Sequence, residues 1–135
     1  MVTDDRRIAW LLTAEAFERG SATKEACLSV AVEAGFCVVA MSHAAASGGI
    51  GQEVEAQAAR LGMQFILVNH AGHCRLDSSL AHVERRSLAQ TLSRDGFNGL
   101  VLCRACDSRL RAESLLATAR VLLRDLDQLD WESCH

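Results

Sequence analysis

The sequence contains no proline and no tyrosine, and Lys24 is its only lysine. The absence of tyrosine excludes catalysis that uses a phenolic hydroxyl group. No apolar run approaches the ~20 residues that a transmembrane helix needs, and the charged start, MVTDDRR, is not followed by the apolar segment of a secretory signal. We therefore expect a soluble, cytoplasmic protein that does not contact a membrane.

The length and composition predict one globular domain spanning the 135 residues. Half of the residues are hydrophobic and the net charge is −3, which suits a protein with a substantial core. Basic residues are not gathered in one run, so nucleic-acid binding is not predicted. The six cysteines, without an export signal and partly inside apolar runs, are expected to be reduced and mostly buried.

Strand-like and helix-like segments alternate along the chain. Helical spacing of apolar residues follows each apolar run, and residues 70–79 are predicted to form a polar loop. The predicted strands are residues 7–13, 37–41, 65–68 and 99–103, and the predicted helices are residues 23–34, 50–61, 79–94 and 115–126. This order predicts a small, doubly wound, Rossmann- or flavodoxin-like three-layer α/β domain with about four parallel strands.

A four-stranded sheet leaves an edge or a face that a second copy of the chain could cover. Leu126, Leu129 and Trp131 are candidate contacts of such a homo-oligomer, although a C-terminal segment folded onto its own domain fits them equally well. Ligands of doubly wound domains bind outside the carboxyl ends of the strands. Any site is therefore expected at one rim, formed by residues 13–15, 42–51, 69–74, 77 and 104–109.

The glycine turn, residues 46–51 with the sequence ASGGIG, connects the second predicted strand to the next helix. Gly48, Gly49 and Gly51 permit positive φ and let the backbone approach a phosphate closely, while Ile50 anchors the helix to the sheet. The helix N-terminus would face the anion, with the hydroxyl of Ser47 in support. The same residues also suit a strand-to-helix turn that binds nothing.

From the glycine turn to FILVNH, which ends at His70, the sequence resembles the cofactor-binding start of the short-chain dehydrogenase/reductase family. The resemblance implies NAD(P), or a nucleotide fragment of it, with Asn69 near the ribose and Asp77 near the adenine. GFNGLVLCRA, residues 96–105, is similar to the family's strand before Asn-Ala-Gly. Because the chain has no tyrosine, the family's catalytic Tyr-x-x-x-Lys pair cannot exist. The resemblance thus implies nucleotide binding without reductase catalysis.

Thiol and imidazole groups form the second candidate site. His70, His73, Cys103 and Cys106 are candidate catalytic residues, and with Cys74 they have spacings that would also suit zinc, although a metal site is not predicted. Cys103 and Arg109 match the Cys-x5-Arg frame of thiolate loops that bind anions. A third interpretation is a non-catalytic scaffold or small-ligand-binding domain that acts through association.

Overall fold

The computed structural model describes residues 5–13, 24–69, 71–106 and 108–133. A short 3-10 turn, Asp5–Arg7, precedes the first strand. Within the described residues, five strands and four α-helices follow one another as β1 (Ile8–Leu12), α1 (Lys24–Ala34), β2 (Val38–Ser42), α2 (Ile50–Arg60), β3 (Gln64–Val68), β4 (Cys74–Leu76), α3 (His82–Arg94), β5 (Val101–Arg104) and α4 (Arg109–Ser133). None of these helices is long and apolar enough to cross a membrane.

The strands form one parallel sheet in the order β3-β2-β1-β5-β4. The predicted α/β class with a parallel sheet is confirmed, and the strand count in the described part rises from four to five. The additional strand is β4, which lies in the segment predicted to be a polar loop. Cys74 and Leu76 are buried and Arg75 is exposed, an alternation too short to be distinguished from a loop by its periodicity.

Apolar side chains are buried on both faces of the sheet, as is usual for a parallel sheet. One cluster joins alternate strand residues, with Trp10 and Val39 at its centre, to residues of all four helices. The second cluster, among the described residues, consists of strand side chains: Ala9, Leu11, Val38, Ala40, Val68 and Leu102. Both clusters follow from the period of two along a strand.

The C-terminal helix α4 supplies a large share of the first cluster. Leu126 is only 2% exposed, and Leu129 packs against the same core. Of the two alternatives for Leu126, the structure shows the segment folded onto its own domain rather than an oligomer contact, because the inward stripe of α4 reaches at least this far. The side chain of Trp131 lies outside the described part of the chain.

Residues 69–73 connect β3 to β4, which lie at opposite edges of the sheet. Within this connection, Ala71 and Gly72 form a turn, and Gly72 has φ 81°. The connection passes so close to Gly99 that a Cβ atom there would overlap the carbonyl oxygen of Gly72.

Candidate functional site

The glycine turn lies at the carboxyl end of β2 and leads into α2. Gly48 has φ 72° and Gly49 has φ 87°, and Gly49 is the N-cap residue of α2. Both residues are exposed, and a Cβ atom at either position would meet no atom within 4 Å. The positive φ expected for this pair is present, and the space around it is open to a ligand.

Gly51 differs in conformation from Gly48 and Gly49. It lies in the first turn of α2 without a positive φ. A Cβ atom there would lie 2.7 Å from Ala46 Cβ and 2.9 Å from Ala46 O, closer than packed atoms approach. Gly51 is therefore required by the contact of α2 with its own preceding turn, and its N–H group donates to Ala46 O at 3.0 Å.

The strand-side half of the turn is closed by its own hydrogen bonds. The N–H group of Ala46 donates to Ser42 O at 3.0 Å, and that of Ser47 donates to Ala44 O at 3.3 Å. The Ser47 hydroxyl also donates to Ala44 O, at 2.7 Å. The Ser47 hydroxyl oxygen can therefore still accept a hydrogen bond, but its proton is already donated to Ala44 O.

The helix-side half of the turn presents unpaired donors. Within the described part of the chain, the N–H groups of Gly48, Gly49, Ile50 and Gln52 make no hydrogen bond. Such groups at the positive end of a helix dipole attract anions. Glu53 lies in the same first turn of α2, where a negative charge is favourable to the helix dipole. Gln52 contributes only backbone, which is why no side-chain motif indicated it.

The two residues expected to contact the ribose and the base are separated by the fold. Asn69 follows β3, the neighbour of β2, and is exposed at the same end of the sheet. Asp77 follows β4 at the far edge, three strands from β2, and its carboxylate accepts a hydrogen bond from Arg75 Nε at 2.8 Å. The structure thus keeps Asn69 beside the glycine turn and places Asp77 elsewhere.

His73 lies at the amino end of the sheet. It directly precedes β4, and its Nδ1 atom accepts a hydrogen bond at 3.0 Å from the N–H group of Leu100, which directly precedes β5. Cys106 follows the carboxyl end of β5. The expectation that residues 69–74 all lie at the carboxyl rim is corrected, because β4 begins inside that segment. His70 lies outside the described residues.

Burial controls the chemistry of Cys103. Its side chain is 0% exposed, and burial, with smaller contributions from Cys74 and Cys106, raises its pKa to about 12. A thiolate nucleophile is therefore not populated there near neutral pH. The thiol of Cys106 is half-buried and lies 3.4 Å from Ser108 O. No group of three or more potential metal ligands occurs among the described residues.

The buried thiol predicts a pH effect on stability. An unfolded cysteine ionises near pH 9, whereas Cys103 in the fold keeps its proton up to about pH 12. The unfolded chain then binds fewer protons above pH 9, so the free energy of unfolding falls as the pH rises, by up to about 1.4 kcal/mol per pH unit from this group. In urea titrations at about pH 8 and pH 10, the free energy of unfolding of Cys103→Ala should fall less between the two pH values than that of the parent chain.

The control for this effect is Cys37→Ala, because the side chain of Cys37 is exposed. This variant should retain the alkaline slope of the parent chain. Equal slopes for the parent and Cys103→Ala would contradict the buried position of the Cys103 thiol.

Comparison with known proteins identifies no relative of this chain. The chain matches no protein-family model, no curated protein and no solved structure.

Proposed function

We propose that the glycine turn binds the phosphate of a nucleotide or dinucleotide, with NAD(P) as the first candidate, and that the chain lacks the Tyr/Lys reductase chemistry of the family it resembles. The observation that carries the proposal is the group of unpaired N–H donors at Gly48, Gly49, Ile50 and Gln52, on an exposed turn at the N-terminus of α2. Donors in this arrangement bind phosphate oxygens through the dipole and direct hydrogen bonds.

In this proposal, the part of the ligand beyond the phosphate is contacted by a residue that follows the neighbouring strand, β3. Asn69 follows β3 beside the turn, and its amide offers both a donor and an acceptor to a ribose. Asp77 is left out of the proposed site because it lies at the opposite edge of the sheet. Ser47 takes part through the lone pairs of its oxygen, since its proton is already donated to Ala44.

The thiol-and-imidazole alternative has less support from the geometry. Cys103 is buried with a raised pKa, and His73 and Cys106 lie at opposite ends of the sheet. Arg109, the arginine of the Cys-x5-Arg frame, donates through Nε to Glu113 Oε1 at 2.9 Å. These placements favour the glycine turn as the site.

A matched pair of glycine variants tests the proposal. Gly48 has φ 72° and Gly62 has φ 74°, and a Cβ atom at either would meet nothing within 4 Å. Alanine at either position should therefore cost a similar ~1 kcal/mol of backbone strain. Only Gly48→Ala places a Cβ atom in the open space beside the donors of the turn, where the phosphate would bind. We therefore expect it to weaken nucleotide binding about tenfold or more, the value of one charge-assisted hydrogen bond.

The measurement is a thermal-shift panel followed by calorimetric titration. The parent chain is scanned with NAD, NADP, AMP and ATP at roughly 1 mM; a ligand at 100 times its Kd would add ~2.7 kcal/mol of stability. Gly62→Ala should bind the ligand as the parent does. A flat panel, or equal affinities for Gly48→Ala and Gly62→Ala, would refute phosphate binding at this turn.

A further inference from the structure

In the part of the chain that the structure describes, strand β3 lies at one edge of the sheet and pairs on one side only. It pairs with β2, and the N–H group of Gln64 donates to Cys37 O across that pairing at 2.9 Å. Successive residues of a strand direct their backbone groups to opposite sides, so Gln64, Ile66 and Val68 face β2. The N–H and C=O groups of Phe65 and Leu67 therefore point away from the sheet. Within the described part of the chain they have no hydrogen-bond partner.

This edge lacks the features that normally prevent pairing with another chain. Residues 61–69, LGMQFILVN, contain no charged residue and no proline. Edge strands are usually protected by charge, proline, a bulge or shortness. The opposite edge, β4, shows such protection: it has three residues, and Arg75 within it forms an ion pair with Asp77.

The side chains of β3 are self-complementary in one register. Leu67 is 47% exposed, and Phe65, on the same face of the strand, is half-buried against the core beneath the helices. If a second β3 runs antiparallel about a two-fold axis at Ile66, Phe65 lies opposite Leu67 of the other copy. Both residues direct their backbone groups outward, which is the condition for a hydrogen-bonded antiparallel pair.

We propose that a second copy of this chain pairs antiparallel with β3 about a two-fold axis at Ile66, joining two five-stranded sheets into one. Phe65 and Leu67 exchange their N–H and C=O bonds with Leu67 and Phe65 of the other copy, so each outward backbone group of the strand is satisfied. The contact is isologous and closes as a dimer, since the second edge, β4, is protected. The residues that pair in the dimer, Phe65 to Leu67, include neither Asn69 nor the glycine turn, so either proposal can fail without the other.

A charge placed at the edge tests the dimer. Leu67→Lys adds an ammonium group to an exposed position, and Leu110→Lys makes the same change at a leucine of α4 that is 79% exposed. In sedimentation equilibrium of the full chain, we expect Leu67→Lys to raise the dimer dissociation constant at least tenfold. Leu110→Lys should leave it unchanged. A parent chain that remains monomeric at high concentration, or a dimer insensitive to Leu67→Lys, would overturn the proposal.

A cross-link tests the register without relying on a destabilising charge. Across the proposed axis the two Ile66 residues form a non-hydrogen-bonded pair with Cα atoms about 4.5 Å apart, within the range that a disulfide spans. In a Cys37→Ser background, Ile66→Cys should form a covalent dimer on mild oxidation, and Leu67→Cys should do so far less. Equal cross-linking of the two variants, or none with either, would refute the axis at Ile66.

Discussion

Trp10→Ala is expected to lower the free energy of unfolding by about 3–5 kcal/mol, the range for truncating a large buried aromatic side chain. Trp10 lies in β1, the central strand, and is 0% exposed. Its ring packs against Phe36 with centroids 4.9 Å apart. Because this position joins the sheet to the helices above it, a cavity here affects the entire larger cluster. Urea or guanidinium titration of the variant measures the loss.

Trp10→Phe separates packing from the polar atom of the indole ring. Trp10 Nε1 is buried with no hydrogen-bond partner in the described part of the chain, and an unsatisfied buried donor costs about 1–3 kcal/mol. Phenylalanine keeps most of the ring contact and removes this donor. We therefore expect Trp10→Phe to lose less than about 1.5 kcal/mol. A loss equal to that of Trp10→Ala would contradict this expectation.

The main elements of the fold could be predicted because their strands are buried runs followed by clear helical periods. Residues 37–41 and 65–68 were predicted within a residue of β2 (Val38–Ser42) and β3 (Gln64–Val68). The strand β4 could not be predicted, because it has three residues and a charged one in the middle. Because β4 was not predicted, His73 was expected at the carboxyl end of the sheet, whereas it lies at the amino end. This one short strand therefore altered the predicted set of rim residues more than any error in a helix boundary did.

The candidate site was only partly predictable, since glycine has several physical uses that a sequence does not distinguish. Gly48 and Gly49 occupy positive φ as the turn pattern indicated. Gly51, in the same motif, instead lies so close to Ala46 that there is no room for a Cβ atom. Which N–H groups remain unpaired also depends on the hydrogen bonds of the turn, such as Ala46 to Ser42, and these appear only once the backbone is folded.

Gly51→Ala is expected to destabilise the fold by about 1–3 kcal/mol, the usual range for overpacking. The new Cβ atom would lie 2.7 Å from Ala46 Cβ and 2.9 Å from Ala46 O. Either α2 moves away from its turn or the Gly51 N–H bond to Ala46 O, now 3.0 Å, breaks. Larger side chains such as valine should lose more. Thermal or denaturant unfolding measures the effect, and Gly62→Ala is the control for glycine replacement in open space.

A second substitution identifies the clash as the cause. Ala46→Gly removes one of the two conflicting atoms, so the double variant should regain part of the stability lost in Gly51→Ala, with a coupling energy of about 0.5–3 kcal/mol. Additive losses would contradict the contact. Because the Gly51 N–H group is already bonded to Ala46, a loss of ligand binding in a Gly51 variant would reflect a displaced helix rather than a lost ligand contact. Gly48, with open space and an unpaired N–H group, is therefore the position at which recognition by the turn can be measured separately from its folding.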